Sequence, residues 1–230
     1  MSLSGCAKIT LTGPFDMRPV IRHLKHECID FYNCRYPLTS QIVLILAACY
    51  LMEVLVFGLV PSSSALYHLG GVVNDQPLAW ADWWRFIASN FIHTSLLHYA
   101  SVVIGLWYMS GRLERIIGWR WLLPVVLAGC VGSTIAGNLY GPNQLVQVGG
   151  SGIVAAACGA GLVVDSKAKH QLGKMARWFF ISFIIYALGV HDYSTSAHAG
   201  GIIAGVIVGG LYLVARAMAK NLADQAILKE

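Results

Sequence analysis

The sequence predicts an all-α fold, a polytopic bundle of six membrane-spanning helices, and three observations carry that prediction. The 230 residues are 57% hydrophobic and only 12% charged, with a mean hydropathy of +0.62, whereas a soluble domain carries about a quarter charged residues. Several runs of about 18 residues or more contain no Asp, Glu, Lys or Arg, which is long enough to cross a bilayer as helix. The basic residues are also sorted by side. With six spans, 15 of the 16 Lys and Arg fall on the side that holds both termini, and Arg85 alone lies on the other. Basic residues in short loops stay cytoplasmic, so both termini are predicted to be cytoplasmic.

The net charge of +5 and pI near 8.9 do not point to nucleic acid, because the basic residues sit in short connections between apolar runs. Cys6, Cys28 and Cys34 lie in the N-terminal tail and Cys49, Cys130 and Cys158 in apolar runs. That distribution implies no disulfide framework. The polar start reads neither as a cleavable signal peptide nor as an Arg-rich, acid-poor transit segment. The predicted home is a bacterial inner membrane or a secretory-pathway membrane.

Residues 1–37 read as a cytoplasmic N-terminal tail, too short for a sizeable core, whose His23 and His26 have no metal-ligand spacing. The membrane domain follows over 38–219. Its first span runs from about Leu38 to Val60 and stops at Pro61 and three serines. Glu53 is the one acid well inside an apolar run, about 12 Å below the outer end at 1.5 Å rise per residue. A hydrogen-bonded partner on a neighbouring helix is the favoured role for it, ahead of catalysis. Residues 61–91 form a long connection in which Trp80, Trp83, Trp84 and Phe86 suit the membrane interface. The second span covers about Ile92 to Ser110, closed by Gly111-Arg-Leu-Glu-Arg. His93 anchors the start of that helix, and Arg85 and Glu114 read as structural ties for the outer loop and the cytoplasmic turn. The third span is Trp121 to Tyr140, and Gly141-Pro-Asn-Gln leads towards the fourth, Ser151 to Val164. The fifth, about Met175 to Val190, carries Phe179, Phe180, Phe183 and Tyr186 as a lipid- or bundle-facing stripe. A short loop, His191 to Ser196, returns to the sixth, His198 to Ala219, and residues 220–230 form a cytoplasmic C-terminal tail.

Within this topology spans two, four and six all start from the outer face. Ser151 lies at the outer end of span four, His198 at the outer end of span six, and His98 about two turns into span two. Polar side chains at membrane depth are costly and face the bundle interior or a water-filled cavity. A serine at a helix start has backbone N–H groups beside it that favour negative charge. An imidazole within reach supplies a general base, which is what a Ser–His hydrolase needs. The nearest acid, Asp192, is six residues before His198, so the arrangement reads as a dyad with no carboxylate to orient the base. Gly201, Gly205 and Gly209 form one small-residue ridge, and Gly152, Ala156 and Ala160 another. Two such ridges let their helices approach closely. The same residues read as packing devices in the bland alternative, with Gly-Gly-Ser-Gly an ordinary helix interface and the histidines structural.

Four separated motifs resemble the rhomboid intramembrane serine proteases over roughly residues 38–219. They are Gly149-Gly150-Ser151-Gly152, His198 with Gly201 and Gly205, Trp84-Arg85 in the first outer loop, and Gly111, Glu114 and Gly118 after span two. The resemblance implies a rhomboid-like six-helix bundle, with Ser151 as nucleophile and His198 as base. It further implies an oxyanion site made by His98 and the Ser151 backbone N–H, and a part for span five in a lateral gate. It calls for no metal and no cofactor, with transmembrane proteins as substrates and the lipid bilayer as the medium. Two positions depart from the family's pattern. Val102 stands where an asparagine usually donates a further hydrogen bond, a loss that costs about 10²–10³ in kcat elsewhere. Ser101 is rotated a quarter turn away, and Ser95 lies one turn earlier. Ala155 stands where many members place an aromatic beneath the catalytic histidine.

These features predict an endopeptidase that cuts membrane-anchored proteins near the outer surface. Backbone amides inside a helix are already hydrogen-bonded, so a substrate must unwind locally, which favours helix-weakening residues and a small side chain at the cut. Two rivals follow from the same residues. A catalytically weak or inactive rhomboid-like protein would bind membrane helices and direct their traffic or degradation, with Val102 as its main support. A small transporter would line a midplane path with polar groups, but here those groups cluster near one face and no inverted repeat is evident.

Overall fold

The computed structural model describes residues 37–77, 80–164, 177 and 194–227. Helix α1 (Pro37–Phe57) ends at Gly58, whose φ of +82° stops it. Ile42, Leu46, Tyr50 and Glu53 of α1 are buried, while Leu44, Ile45, Leu51, Met52 and Leu55 are between 51% and 72% exposed. An apolar outer face of that size suits lipid and not water.

The stretch 61–91, expected as a connection, is built from short elements. Helix α2 (Ser63–Leu69) is capped by Ser62, whose hydroxyl oxygen accepts from the Ala65 N–H at 3.2 Å. Strand β1 (Val72–Val73) pairs antiparallel with β2 (Val146–Gln147), Val72 opposite Gln147 and Val73 opposite Val146. Helical turns over Arg85–Phe91, here α3, bend by 103° into α4 (Leu96–Ile117). Two-residue strands joined across the chain leave no periodic signal, so they were not readable in advance.

The second span departs from its expected bounds, Ile92 to Ser110, at both ends. Ser95 caps α4, so the helix begins at Leu96 and His98 lies in its first turn instead of two turns deep. At the other end Gly111 adopts right-handed helical angles, and the helix passes through a π-helical stretch, Leu106–Ser110, to Ile117. The stop is Gly118 at φ +78°, a conformation that favours glycine. Helix α5 (Trp119–Tyr140) and helix α6 (Ser151–Val164) follow. Helix α7 (Ser194–Ile227) is longer than the expected His198 to Ala219. Ser194–Ser196, expected in a loop, are helical. Residues 220–227, expected as tail, continue it because Ala, Leu and Gln propagate a helix well. Apart from Arg177, the expected fifth span with its aromatic stripe lies outside the described residues, as do Asp192 and residues 1–36.

Among the described residues α1, α5 and Thr195–Ile227 are long and apolar enough to cross a membrane, and the bent α3–α4 pair makes a fourth candidate. Helix α6 is apolar but only 14 residues long.

Packing fixes the helix directions. The faces of α6 and α7 meet at Gly201 on Gly152, Gly205 on Ala156 and Gly209 on Ala160, so the two run parallel. Helix α5 crosses both in the opposite sense, with Gly132 against Gly200 and Ala204 and with Gly129 against Gly152 and Ala156. Helix α4 runs with α6, since Val102 meets Gly150 and Gly105 meets Val154. Helix α1 is antiparallel to α4, with its start beside Glu114 and its end beside His93. Leu46, Leu106, Leu113, Leu122 and Ile153 are fully buried between these helices.

Glu114 closes the end opposite Ser151. Its buried carboxylate accepts from the N–H groups of Leu38 (2.8 Å) and Thr39 (2.9 Å) and from the Thr39 hydroxyl (2.7 Å). It therefore caps the first turn of α1, whose N–H groups lack partners inside the helix, from a distant part of the chain. Bonds to a charged acceptor contribute more than neutral ones. Glu114→Ala is expected to cost about 3 kcal/mol, read as a lower melting temperature in detergent, with Glu114→Gln between it and wild type. Gly205→Leu is expected to unfold the protein or lower its melting point further, because a Cβ there already meets the Ala156 backbone.

Candidate functional site

Each glycine of Gly149-Gly150-Ser151-Gly152 is required for its own reason. Gly149 has φ +116°, and a Cβ on it would run into the His98 ring. On Gly150 a Cβ would press on the Asn90 carbonyl oxygen and Val102 Cγ1, each at 3.0 Å, and on Gly152 it would strike the Ser133 side chain. The loop is held from outside by the Gly149 N–H, which donates to the Ser89 carbonyl at 2.8 Å. The Gly150 carbonyl accepts from Ile153 N–H at 3.0 Å and starts α6. Ser151 is thus the first helical residue, half-buried. The backbone N–H groups of a first turn lie outside the helical ladder and face whatever sits before it.

His98 comes to this loop from the first turn of α4. The Cε1–Nε2 edge of its ring lies against Gly149, while Nδ1 is turned away, 3.6 Å from where a Cβ on Gly149 would be. The Thr94 hydroxyl lies 3.1 Å from Nδ1, and the His98 N–H donates to the Ser95 cap at 3.3 Å. His98 is half-buried and its ring stands edge-on to buried His93, with centroids 5.2 Å apart.

His198 is buried, one turn before Gly201. Gly201 seats on Gly152 and the two helices run parallel; His198 lies three residues before Gly201 and Ser151 one before Gly152, so the two differ by about 3 Å of rise along the helices. Ala155, fully buried, faces Gly201 below His198, 3.1 Å from where a Cβ on Gly201 would lie.

Val102 is buried and lies against Gly150, so the wall beside the serine loop is apolar. Ser101 donates to the His98 carbonyl at 2.7 Å, and the Ser95 oxygen serves the helix cap. Arg85 opens α3. Its guanidinium donates to Asp82 Oδ1 (2.8 Å) and to the carbonyls of Tyr67 (2.7 Å) and Gly71 (3.1 Å), beneath the rings of Tyr67 and Trp84. Glu114 lies at the far end of α4, away from the serine. Glu53 accepts from the buried His93 N–H at 3.1 Å, which ties α1 to the segment between α3 and α4.

Two contributors escaped the sequence reading. Asn90 donates through Nδ2 to the Phe86 carbonyl at 2.9 Å, while its own carbonyl oxygen meets Gly150. That contact crosses between separate elements, and no local pattern reveals it. Thr94 lies before the Ser95 cap, outside the helix, so helical spacing does not assign it to the His98 ring.

A sequence model of the rhomboid domain matches residues 80–215. The chain is 30% identical over 140 residues to the rhomboid protease GluP of Bacillus subtilis, covering 59% of this chain and 27% of that protein. It is 25% identical over 162 residues to the rhomboid protease GlpG of Yersinia enterocolitica, covering 63% and 57%. Against the rhomboid-type serine protease 2 of Emericella nidulans it is 27% identical over 177 residues, covering 70% and 32%. The matched stretch spans less than two thirds of each of these relatives.

The Glu53 contact is open to a stability test. Glu53→Ala leaves the His93 N–H buried without its acceptor, at an expected cost of about 2 kcal/mol. Glu53→Gln, whose amide oxygen still accepts, should lose less, and thermal melts in one detergent rank the two.

Proposed function

We propose, from the premise that this chain belongs to the rhomboid family, that it is an intramembrane serine endopeptidase acting through Ser151 and His198. The observation that carries the reading is the parallel seating of α7 on α6, Gly201 on Gly152, which supports an imidazole and a hydroxyl side by side. The Ser151 hydroxyl passes its proton to His198 as Oγ bonds to the substrate carbonyl carbon. The resulting oxyanion lies towards His98 Nε2 and the Ser151 N–H. Collapse breaks the C–N bond, and His198 returns the proton to the leaving amine. Water then attacks the acyl-serine with the same base, releasing the acid and restoring Ser151. No metal or cofactor takes part.

The reading extends to the whole chain. This integral membrane protein has six spans over 38–219, between cytoplasmic tails at 1–37 and 220–230, in a bacterial inner or secretory-pathway membrane. Its substrates are transmembrane proteins cut near the outer surface, at helix segments weak enough to unwind. Lys and Arg placement supports the orientation.

A second reading rests on Val102, buried against Gly150 with nothing to donate. It is a weak or inactive rhomboid-like protein that holds membrane helices for traffic or degradation. A fluorophosphonate probe separates the two. Labelling of wild type and loss of it in Ser151→Ala and His198→Ala supports the protease, whereas folded wild type that stays unlabelled favours the binder. Among active variants, Val102→Asn is expected to raise kcat on a model transmembrane substrate about tenfold or more.

A further inference from the structure

We propose that Thr94 is a positioning residue for His98, donating its hydroxyl proton to Nδ1 so that the imidazole keeps its own proton on Nε2. The inference rests on the protease reading for its consequence, but its geometry stands alone. Thr94 Oγ1 lies 3.1 Å from His98 Nδ1, and the opposite edge of the ring, Cε1–Nε2, faces Gly149. The ring is thus addressed at one nitrogen by a side chain and presents the other to the serine loop. A neutral imidazole carries one proton, and the partner of one nitrogen decides what the other offers. With Thr94 donating, Nε2–H points at the loop as a donor. With the proton on Nδ1, Nε2 would present a lone pair to a developing oxyanion and repel it.

The backbone sets this geometry up. Ser95 caps α4 through the His98 N–H, which holds Thr94 just outside the helix and four residues before the ring it bonds. His93, edge-on at 5.2 Å, walls the ring from another side. The neighbouring hydroxyls have other partners: Ser101 donates to the His98 carbonyl and Ser95 accepts from the His98 N–H. Because Val102 is apolar, the side-chain share of oxyanion binding in this wall falls on His98, and the position of one proton on one ring governs it. Thr94 is half of that device and touches no substrate.

The test uses the full chain in detergent micelles. Side-chain ¹⁵N spectra, with His98 assigned by the signals lost in His98→Ala, are expected to show wild-type His98 with protonated Nε2 and a hydrogen-bond-accepting Nδ1. Thr94→Val, nearly isosteric, should move that balance, and Thr94→Ser should restore it. In cleavage assays Thr94→Val is expected to lower kcat about tenfold with KM unchanged, the signature of a contact made in the transition state. Thr94→Ser should recover most of the rate, and the Thr94→Val penalty should shrink in a Val102→Asn background, where a second donor shares the load. A His98 ring protonated on Nδ1 in wild type overturns the proposal, as does wild-type turnover by Thr94→Val or a defect that Thr94→Ser leaves unrepaired. The spectra need no substrate, so a wild type that fails to label with fluorophosphonate counts against the protease reading and not against the Thr94 bond.

Discussion

The contact between α6 and α7 is made by backbone against backbone. Gly201, Gly205 and Gly209 each present a bare Cα to Gly152, Ala156 and Ala160 in turn, and a Cβ on Gly205 would collide with the Ala156 backbone. In lipid no hydrophobic force draws two apolar helices together, because the tails around them are equally apolar. Association there depends on close packing and on hydrogen bonds. The ridges therefore set register as well as proximity. A slip of one ridge position, four residues, would shift His198 about 6 Å along α6.

Around that contact the end of the bundle that carries Ser151 is tied by polar bonds that bridge distant parts of the chain. The β1–β2 pair joins the segment after α2 to the segment before the serine. The Asn138 side chain donates to the Val73 carbonyl at 2.9 Å, and Gln147 donates to the Ser133 carbonyl at 3.1 Å. Arg85 gathers the carbonyls of the α2 turn, and Ser89 holds Gly149. Buried polar groups cost free energy unless they are paired, so each tie both satisfies a group and fixes a loop. At the opposite end Glu114 does the same for the start of α1. The serine loop consequently sits on rigid supports, as a site must when small displacements weaken catalysis.

The apolar wall at Val102 changes how such a site distributes its work. Oxyanion binding rests on preorganised donors aimed at the position where charge develops. Ser101 and Ser95 are committed to the backbone of α4, so under the proposed protease reading the donors left are the helix start at Ser151 and the His98 ring. Ala155 is fully buried in the α6–α7 contact, against Gly201 below His198.

What the sequence determined by itself was local or compositional. Apolar run length marked the long helices α1 and α5, and the start of α6 at Ser151 was readable because a glycine pair and a serine punctuate it. The order of the four motifs identified the family, as the rhomboid match over residues 80–215 shows. What only the tertiary structure decided was non-local. Gly111 reads as a stop but takes helical angles, because the surrounding bundle accommodates the continued helix and Gly118 supplies the positive φ. His98 was placed two turns deep, yet the Ser95 cap and the bend before it set the ring in the first turn. The partners of Glu114, Glu53, Arg85 and Gly149 lie on other elements, so no spacing along the chain could name them. Hydrophobic length and glycine punctuation are properties of a segment, whereas hydrogen-bond partners and proton positions are properties of the surfaces that the fold brings together.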